Sequence, residues 1–192
     1  MNKNVIIAIA SIAAIIILAA IFWPKQKYLT PTNTSSNQLV YITGGLGGDQ
    51  TYTVYNRLVT ENKHIIVSGG SNEAYKENIA NKLADYTKKD IILIGHSFGC
   101  NTIIDFYNSN EDFNIKGVFL IDPVMTSWGD ASITKDPTIV YVFYRTHLFG
   151  PKTAKIHGVS EDNVYKVEGG HNDFLHKEPF LDKLMEIING LH

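Results

Sequence analysis

Short apolar runs alternate with longer amphipathic segments along most of the chain. Several apolar runs are nearly continuous in valine, isoleucine, leucine, phenylalanine and tyrosine, which is typical of strands covered on both faces. This alternation predicts an α/β fold in which a mostly parallel sheet of about six strands is flanked by helices. The predicted strands are residues 39–44, 64–69, 90–95, 117–122, 138–144 and 163–169, and the predicted helices are residues 50–62, 72–88, 99–109 and 178–190.

The first 25 residues have a different pattern. Residues 5–23 carry no charge, and Ser11 is their only polar side chain. As a helix, this run would span roughly 28 Å, about the thickness of the hydrocarbon layer of a bilayer. The run is longer than the apolar region of most secretory signal peptides, and Trp23 and Lys25 suit a membrane interface. We therefore predict a transmembrane anchor over residues 1–25, with a cleaved signal peptide as the alternative.

The next residues are polar and lead into the main domain. Residues 26–37 lack hydrophobic periodicity and contain Pro31, so we predict a linker there and one globular domain over residues 38–192. Lysines lie on both sides of the apolar run, so the positive-inside bias nearly cancels. Because the short N-terminal tail resembles an export signal, we expect the domain to face the extracytoplasmic side.

The amino-acid composition excludes several classes of ligand and site. The net charge is −2 and the sequence pI is about 6.4, so nucleic acid is not expected as a ligand. The single cysteine, Cys100, excludes an intramolecular disulfide and a cysteine-built zinc site. No metal site is predicted, and the oligomeric state is left open.

The stretch Gly95-His96-Ser97-Phe98-Gly99 follows one predicted strand and precedes a predicted helix. A G-x-S-x-G sequence in that context is typical of a sharp turn that presents a nucleophilic serine. The helix N-terminus directs free N–H groups towards negative charge that develops beside Ser97. The pattern predicts that Ser97 is a nucleophile and that Phe98 contributes a backbone N–H to an oxyanion hole.

A glycine-rich loop, residues 44–48, follows the first strand of the domain. It is neither a dinucleotide-binding fingerprint nor a P-loop, because neither a ribose-binding acid nor a Gly-Lys-Ser/Thr sequence accompanies it. Combined with Ser97, it is interpreted as the other half of the oxyanion hole. The predicted donor is the N–H of Leu46.

A histidine and an acid follow two later strands. Carboxyl ends of parallel strands meet at one edge of a sheet, where ligand crevices form. Of seven histidines, His171 directly follows the last strand at that edge. Asp122 ends another strand and could orient the imidazole. Asp130 is the alternative acid, and a turn-capping role for Asp122 stays open.

These motifs together resemble the α/β-hydrolase superfamily, especially small lipases and esterases, over residues 38–190. The segment 95–99 is similar to the nucleophile elbow, residues 44–48 to the oxyanion loop, and residues 169–174 to the motif that bears the catalytic histidine. The resemblance implies a minimal α/β-hydrolase fold. The superfamily more often carries its acid after the next strand, but residues 138–150 contain no acidic side chain. Asp122 occupies a position that some lipases use instead.

We therefore predict a membrane-anchored serine hydrolase that cleaves a carboxylic ester or thioester through Ser97, His171 and Asp122 and an acyl-enzyme, without a cofactor. The expected substrate is a small ester or a lipid-like molecule, with Met125 and Trp128 as acyl contacts. Acyl transfer or amide cleavage on the same residues is one alternative. A hydrolase-fold binding protein without turnover is the other.

Overall fold

The computed structural model of the chain describes residues 33–45, 51–68, 76–124, 130–146 and 153–191. The strands in these residues are β1 (Gln38–Thr43), β2 (His64–Ser68), β3 (Asp90–His96), β4 (Ile115–Ile121), β5 (Ala131–Ser132), β6 (Val140–Arg145), β7 (Ile156–His157) and β8 (Val164–Val167). The α-helices are α1 (Tyr52–Thr60), α2 (Lys76–Leu83), α3 (Gly99–Ser109) and α4 (Glu178–Gly190).

Six strands form one parallel sheet in the order β2-β1-β3-β4-β6-β8. The predicted α/β fold with a six-stranded sheet flanked by helices is thus confirmed, and each predicted strand matches an observed one to within a few residues. Because every strand runs in the same direction, the carboxyl ends of β1, β3, β4 and β6 lie along one edge. That edge brings together segments that are far apart in the chain.

Both faces of the sheet are covered, which explains the nearly continuous apolar strands. Successive strand residues point to opposite faces, so odd and even positions of β3 enter different core layers. Helices α2 and α3 pack with Leu39, Tyr41, Ile91, Leu93, Val118 and Leu120 on one face. Helices α1 and α4 pack with Val40, Ile42, Ile92, Ile94, Phe119, Ile121 and Phe143 on the other.

Strands β5 and β7 form a separate two-stranded parallel sheet that the sequence pattern did not predict. Each strand is two residues long, too short for any hydrophobic periodicity to be visible. The segment before β7 is also tied to the end of β4, because the Ala154 N–H donates to the Pro123 carbonyl at 2.7 Å. This small sheet joins the segments that follow β4 and β6.

Among the residues the structure describes, no helix has both the length and the apolar character needed to cross a membrane. The expected anchor, residues 5–23, lies outside the described residues. The end of the predicted linker is described, and it contacts the domain. The ammonium group of Lys89 donates to the carbonyl oxygens of Thr34 at 2.7 Å and Ser36 at 2.5 Å.

Candidate active site

Ser97 lies in the sharp turn between β3 and α3. Its φ angle is 54°, in the left-handed region that residues with a side chain rarely adopt. The turn is held by its own backbone, because the Ser97 N–H donates to the Ile121 carbonyl at 3.0 Å and the Ser97 carbonyl accepts from the Cys100 N–H at 3.1 Å. These hydrogen bonds offset the strain of the backbone and fix the serine at the carboxyl edge of the sheet.

The two glycines that flank the serine are required by close backbone contacts. A Cβ atom on Gly95 would lie 2.9 Å from the Cys100 Cα, and one on Gly99 would lie 2.6 Å from the Thr43 carbonyl oxygen. Cys100 itself is buried, and burial raises the pKa of its thiol. The cysteine beside the serine is therefore a packed, protonated side chain.

His171 connects the serine to an acid. Its Nε2 lies 2.9 Å from the Ser97 Oγ, and its Nδ1 forms a hydrogen bond with the Asp122 Oδ2. With the proton on Nδ1, the imidazole donates to the carboxylate and accepts from the serine hydroxyl. The three predicted residues Ser97, His171 and Asp122 are therefore in one hydrogen-bonded line, although they follow three different strands.

Asp122 directly follows β4 and is completely buried. Its φ angle is 40°, and its N–H donates to the Phe143 carbonyl at 2.8 Å. Each carboxylate oxygen has partners besides the histidine. The Thr153 hydroxyl donates to Oδ1 at 2.6 Å, and the Arg145 Nη1 lies 3.1 Å from Oδ2. Asp122 is thus held by backbone and side chains together.

His96 is the second histidine of the site. Its Nε2–H donates to the His171 carbonyl at 3.2 Å, and the two rings are tilted with centroids 4.9 Å apart. Burial, and next the nearby His171, lower the pKa of His96 from 6.5 to about 4. Its Nδ1 is buried without a hydrogen-bond partner among the described residues, so protonation would create an unpaired buried donor. His96 is therefore neutral and supports the backbone of His171.

The predicted oxyanion hole is described only in part. Gly45 packs directly against the serine, because a Cβ atom there would lie 2.7 Å from the Ser97 Cβ. Phe98 is the N-cap residue of α3, at the helix end where backbone N–H groups have no intrahelical partner. Leu46, predicted as the other donor, lies outside the described residues. The predicted substrate contacts Met125 and Trp128 lie outside them too.

Asp130, the alternative acid, is engaged elsewhere. Its Oδ1 accepts from the Lys155 N–H at 3.1 Å, and its Oδ2 lies 3.2 Å from the His157 Nε2. These contacts belong to the β5–β7 sheet. The geometry therefore joins Asp122, and not Asp130, to His171.

Three residues around the site are absent from the predicted set: His96, Arg145 and Thr153. The signal for Arg145 was available, because it is a charged residue at the carboxyl end of an otherwise apolar strand. Thr153 had no such signal, since the β5–β7 sheet that brings it to the acid has no visible periodicity. Among the described residues, no group of three or more histidine, cysteine, aspartate or glutamate side chains could hold a metal ion.

Comparisons with known proteins give the fold and support a hydrolase. A family model described as serine hydrolase matches residues 57–146, which include β3 and the serine turn. A comparison with curated proteins found no significant match. Among solved structures, the chain is similar to the surfactin-cyclising thioesterase domain SrfTE, with a TM-score of 0.57 and 11% identity over 79% of this chain and 91% of that chain.

Two further structures have the same fold. One is a YdeN-like hydrolase from Pectobacterium atrosepticum, with a TM-score of 0.54 and 17% identity over 80% of this chain and 92% of that chain. The other is a lipase-esterase related protein from Clostridium acetobutylicum, with a TM-score of 0.51 and 12% identity over 88% of this chain and 100% of that chain. Together with the family match over residues 57–146, which supports a hydrolase, these likenesses give the fold and agree with the resemblance to the α/β-hydrolase superfamily drawn from the motifs.

Proposed function

We propose that this protein is a serine hydrolase that cleaves a carboxylic ester or thioester through a Ser97-His171-Asp122 triad. The observation that carries the proposal is the line of contacts from the Ser97 Oγ through both nitrogens of His171 to the Asp122 carboxylate. A nucleophile, a base in hydrogen-bond reach and a group that orients the base are the three parts that acyl transfer to serine requires.

In the first half of the reaction, the Ser97 Oγ attacks the carbonyl carbon of the substrate, and its proton moves to the His171 Nε2. The imidazolium is stabilised by Asp122, which accepts the hydrogen bond from Nδ1. When the tetrahedral intermediate collapses, the bond to the alcohol or thiol breaks, and the leaving group takes the proton from Nε2. The product that remains is an acyl ester of Ser97.

In the second half, a water molecule loses a proton to the His171 Nε2 and attacks the acyl ester. The C–O bond to Ser97 breaks, the proton returns to its oxygen, and the acid leaves. Negative charge on the carbonyl oxygen is placed near the N-terminus of α3, where the Phe98 N–H and, in the proposal, the Leu46 N–H donate. One such donor is worth about 2.7–4 kcal/mol in the transition state.

The proposed substrate is a small or lipid-like ester or thioester, with Met125 and Trp128 in contact with the acyl group. The triad alone does not distinguish an oxygen from a sulfur leaving group, and an alcohol or amine could replace water as acyl acceptor. Product analysis in the presence of added alcohol separates hydrolysis from transfer. An ester and thioester panel of graded acyl length on the chain lacking residues 1–25 gives the preferred leaving group and chain length.

The proposal includes attachment of the domain to a membrane through residues 5–23, with the domain on the extracytoplasmic side. The support is the uncharged length of this run. The full chain should sediment with membranes after an alkaline wash, whereas the chain lacking residues 1–25 should remain in the supernatant. Sedimentation of both forms would contradict anchoring by this segment, and protease accessibility in intact cells reports the side.

The nucleophile is tested with a fluorophosphonate probe, which labels an activated serine covalently. The unmodified protein should be labelled, and Ser97→Ala should not. Ser132→Ala is the matched control, because Ser132 is an exposed serine of β5. Labelling that survives Ser97→Ala while the variant stays folded would refute the assignment. A folded protein with no labelling and no ester or thioester turnover would favour the binding-protein alternative.

A further inference from the structure

Arg145, the last residue of β6, lies beside the acid of the proposed triad. Its Nη1 is 3.1 Å from the Asp122 Oδ2, and its side chain is only 5% exposed. The guanidinium and the carboxylate therefore form a buried ion pair. The other arginine of the chain, Arg57, pairs with Asp182 and Glu178 at the surface.

The parallel register explains how this cation reaches the acid. Ile121 of β4 is paired with Phe143 of β6, and Asp122 is bound to β6 through the Phe143 carbonyl. Arg145 is two residues beyond Phe143, and residues two apart point to the same face of a sheet. The contact is therefore fixed by strand pairing, since Thr146 is held in turn by β8 through the Val167 carbonyl at 2.9 Å.

The charge of the buried acid is stabilised by several groups. Asp122 accepts hydrogen bonds from the hydroxyl of Thr153 and from the imidazole of His171. The guanidinium of Arg145 adds a positive charge beside the same carboxylate. Attraction between opposite charges is strong where water is largely excluded, so this ion pair helps to hold the carboxylate in place.

The same cation lies on the carboxylate oxygen that faces the histidine. Arg145 and the His171 Nδ1 both contact Asp122 Oδ2, so the two basic groups are neighbours across that atom. The Thr153 hydroxyl binds the other oxygen, Oδ1. These contacts together orient the carboxylate with Oδ2 towards the imidazole.

We propose that Arg145 is a positioning residue that holds the Asp122 carboxylate with Oδ2 towards the Nδ1 of His171. This role rests on the proposed function, because it acts through the triad. A purely structural Arg145 would affect folding and would leave the kcat of the folded variant unchanged.

The test compares Arg145→Met and Arg145→Lys with the surface control Arg57→Met. NMR of labelled histidine follows the Nδ1 proton of His171 without any substrate, and kcat and KM are measured with an ester. In Arg145→Met, the Nδ1 proton signal should move, and kcat should fall at least about tenfold with little change in KM, because the acid acts in the transition state. Arg145→Lys should restore most of the kcat, and Arg57→Met should match the unmodified protein.

An unmoved Nδ1 signal and unchanged kcat in folded Arg145→Met would overturn the inference. If Arg145→Met does not fold, Asp122→Asn is compared with the double variant Asp122→Asn, Arg145→Met, which leaves no buried charge unpaired. The second change should then lower kcat little further, because Arg145 acts through the Asp122 carboxylate, and a further loss of about tenfold would overturn the inference. A moved Nδ1 signal in a protein that hydrolyses nothing would support the role of Arg145 and contradict the proposed function. Hydrolysis that depends on Ser97 but is indifferent to Arg145 would do the opposite.

Discussion

Two histidine–aspartate pairs lie among the residues that the structure describes, and their surroundings differ. In the first, the side chain of Asp122 is fully buried and that of His171 is 14% exposed. In the second, the side chains of His157 and Asp130 are 50% and 47% exposed, with 3.2 Å between their nearest atoms. The two pairs have the same chemical groups, but only the first has a serine on the far nitrogen.

The difference shows how strongly the chemistry of a histidine–aspartate pair depends on its surroundings in the fold. The exposed pair joins two neighbouring strands of a small sheet, and water screens it, so its interaction is worth about 0–1 kcal/mol. The buried pair joins segments that follow different strands of the large sheet, and the acid is held by Thr153 and Arg145 as well. Low exposure strengthens every one of these interactions and removes alternative positions for the ring. The same residue types therefore join two strands of the small sheet in one place and connect a serine to a buried carboxylate in the other.

The largest effect is expected from exchanging each acid for its amide. Asp122→Asn should lower kcat by about 10⁴-fold, because an amide no longer enforces the tautomer in which His171 accepts the serine proton. Asp130→Asn should leave kcat within about twofold, because its exposed carboxylate contacts the Lys155 N–H and the His157 ring at the small sheet. Steady-state kinetics with an ester, on variants shown to be folded by circular dichroism, measures both. Equal losses in the two variants would contradict the assignment of Asp122 as the acid.

A smaller effect concerns His96, whose imidazole is hydrogen-bonded to the backbone carbonyl of His171. The pKa of His96 is about 4 in the folded protein and 6.5 when unperturbed, so the folded state disfavours its charged form. Its stabilising contribution is therefore complete above pH 6.5 and is lost as the pH falls to about 4, by about 3 kcal/mol. His96→Gln keeps a donor for the His171 carbonyl and removes the titration, so the unfolding free energy should fall less over this interval. Urea denaturation at several pH values measures this, with the exposed His157→Gln as control. A slope that is unchanged in His96→Gln would contradict a neutral, buried His96.

The smallest effect compares two threonine hydroxyls that each donate to an aspartate at 2.6 Å. Thr153 donates to the buried Asp122, and Thr138 donates to the exposed Asp136. Thr153→Val should lower kcat several-fold and reduce the unfolding free energy by about 1–2 kcal/mol, because a buried acceptor loses a donor. Thr138→Val should leave activity unchanged. Enzyme kinetics and urea denaturation measure the pair, and a Thr153→Val protein that matches Thr138→Val would show that this hydroxyl does not support the acid.

Much of the fold could be predicted because each main strand is a continuous apolar run. Residues 90–95, for example, predicted β3 (Asp90–His96) almost to its ends. The β5–β7 sheet could not be predicted, since two-residue strands such as Ala131–Ser132 have no period to detect. Its pairing depends on where β4 and β6 leave the large sheet, which is a property of the tertiary structure.

Part of the candidate site could also be predicted from the sequence, and part of it could not. Ser97 and His171 were predicted from their places after strands, and the turn at Ser97 has the positive φ angle that its sequence context requires. The choice between Asp122 and Asp130 was left open, because both follow β4 and spacing alone does not say which one faces the histidine. The contacts distinguish them, since only Asp122 continues directly from a strand whose neighbour is β6.

By itself, the sequence determined the order of strands and helices, the glycine-flanked serine turn and the strand ends that carry an acid and a histidine. These are local properties, set by hydrophobic period, backbone sterics and turn chemistry. Only the tertiary structure decided that Arg145 and Thr153 meet Asp122, that His96 is buried and neutral, and that Asp130 pairs with His157. Those contacts depend on strand register and burial across distant segments, and no local pattern encodes the free energy of a charge surrounded by such neighbours.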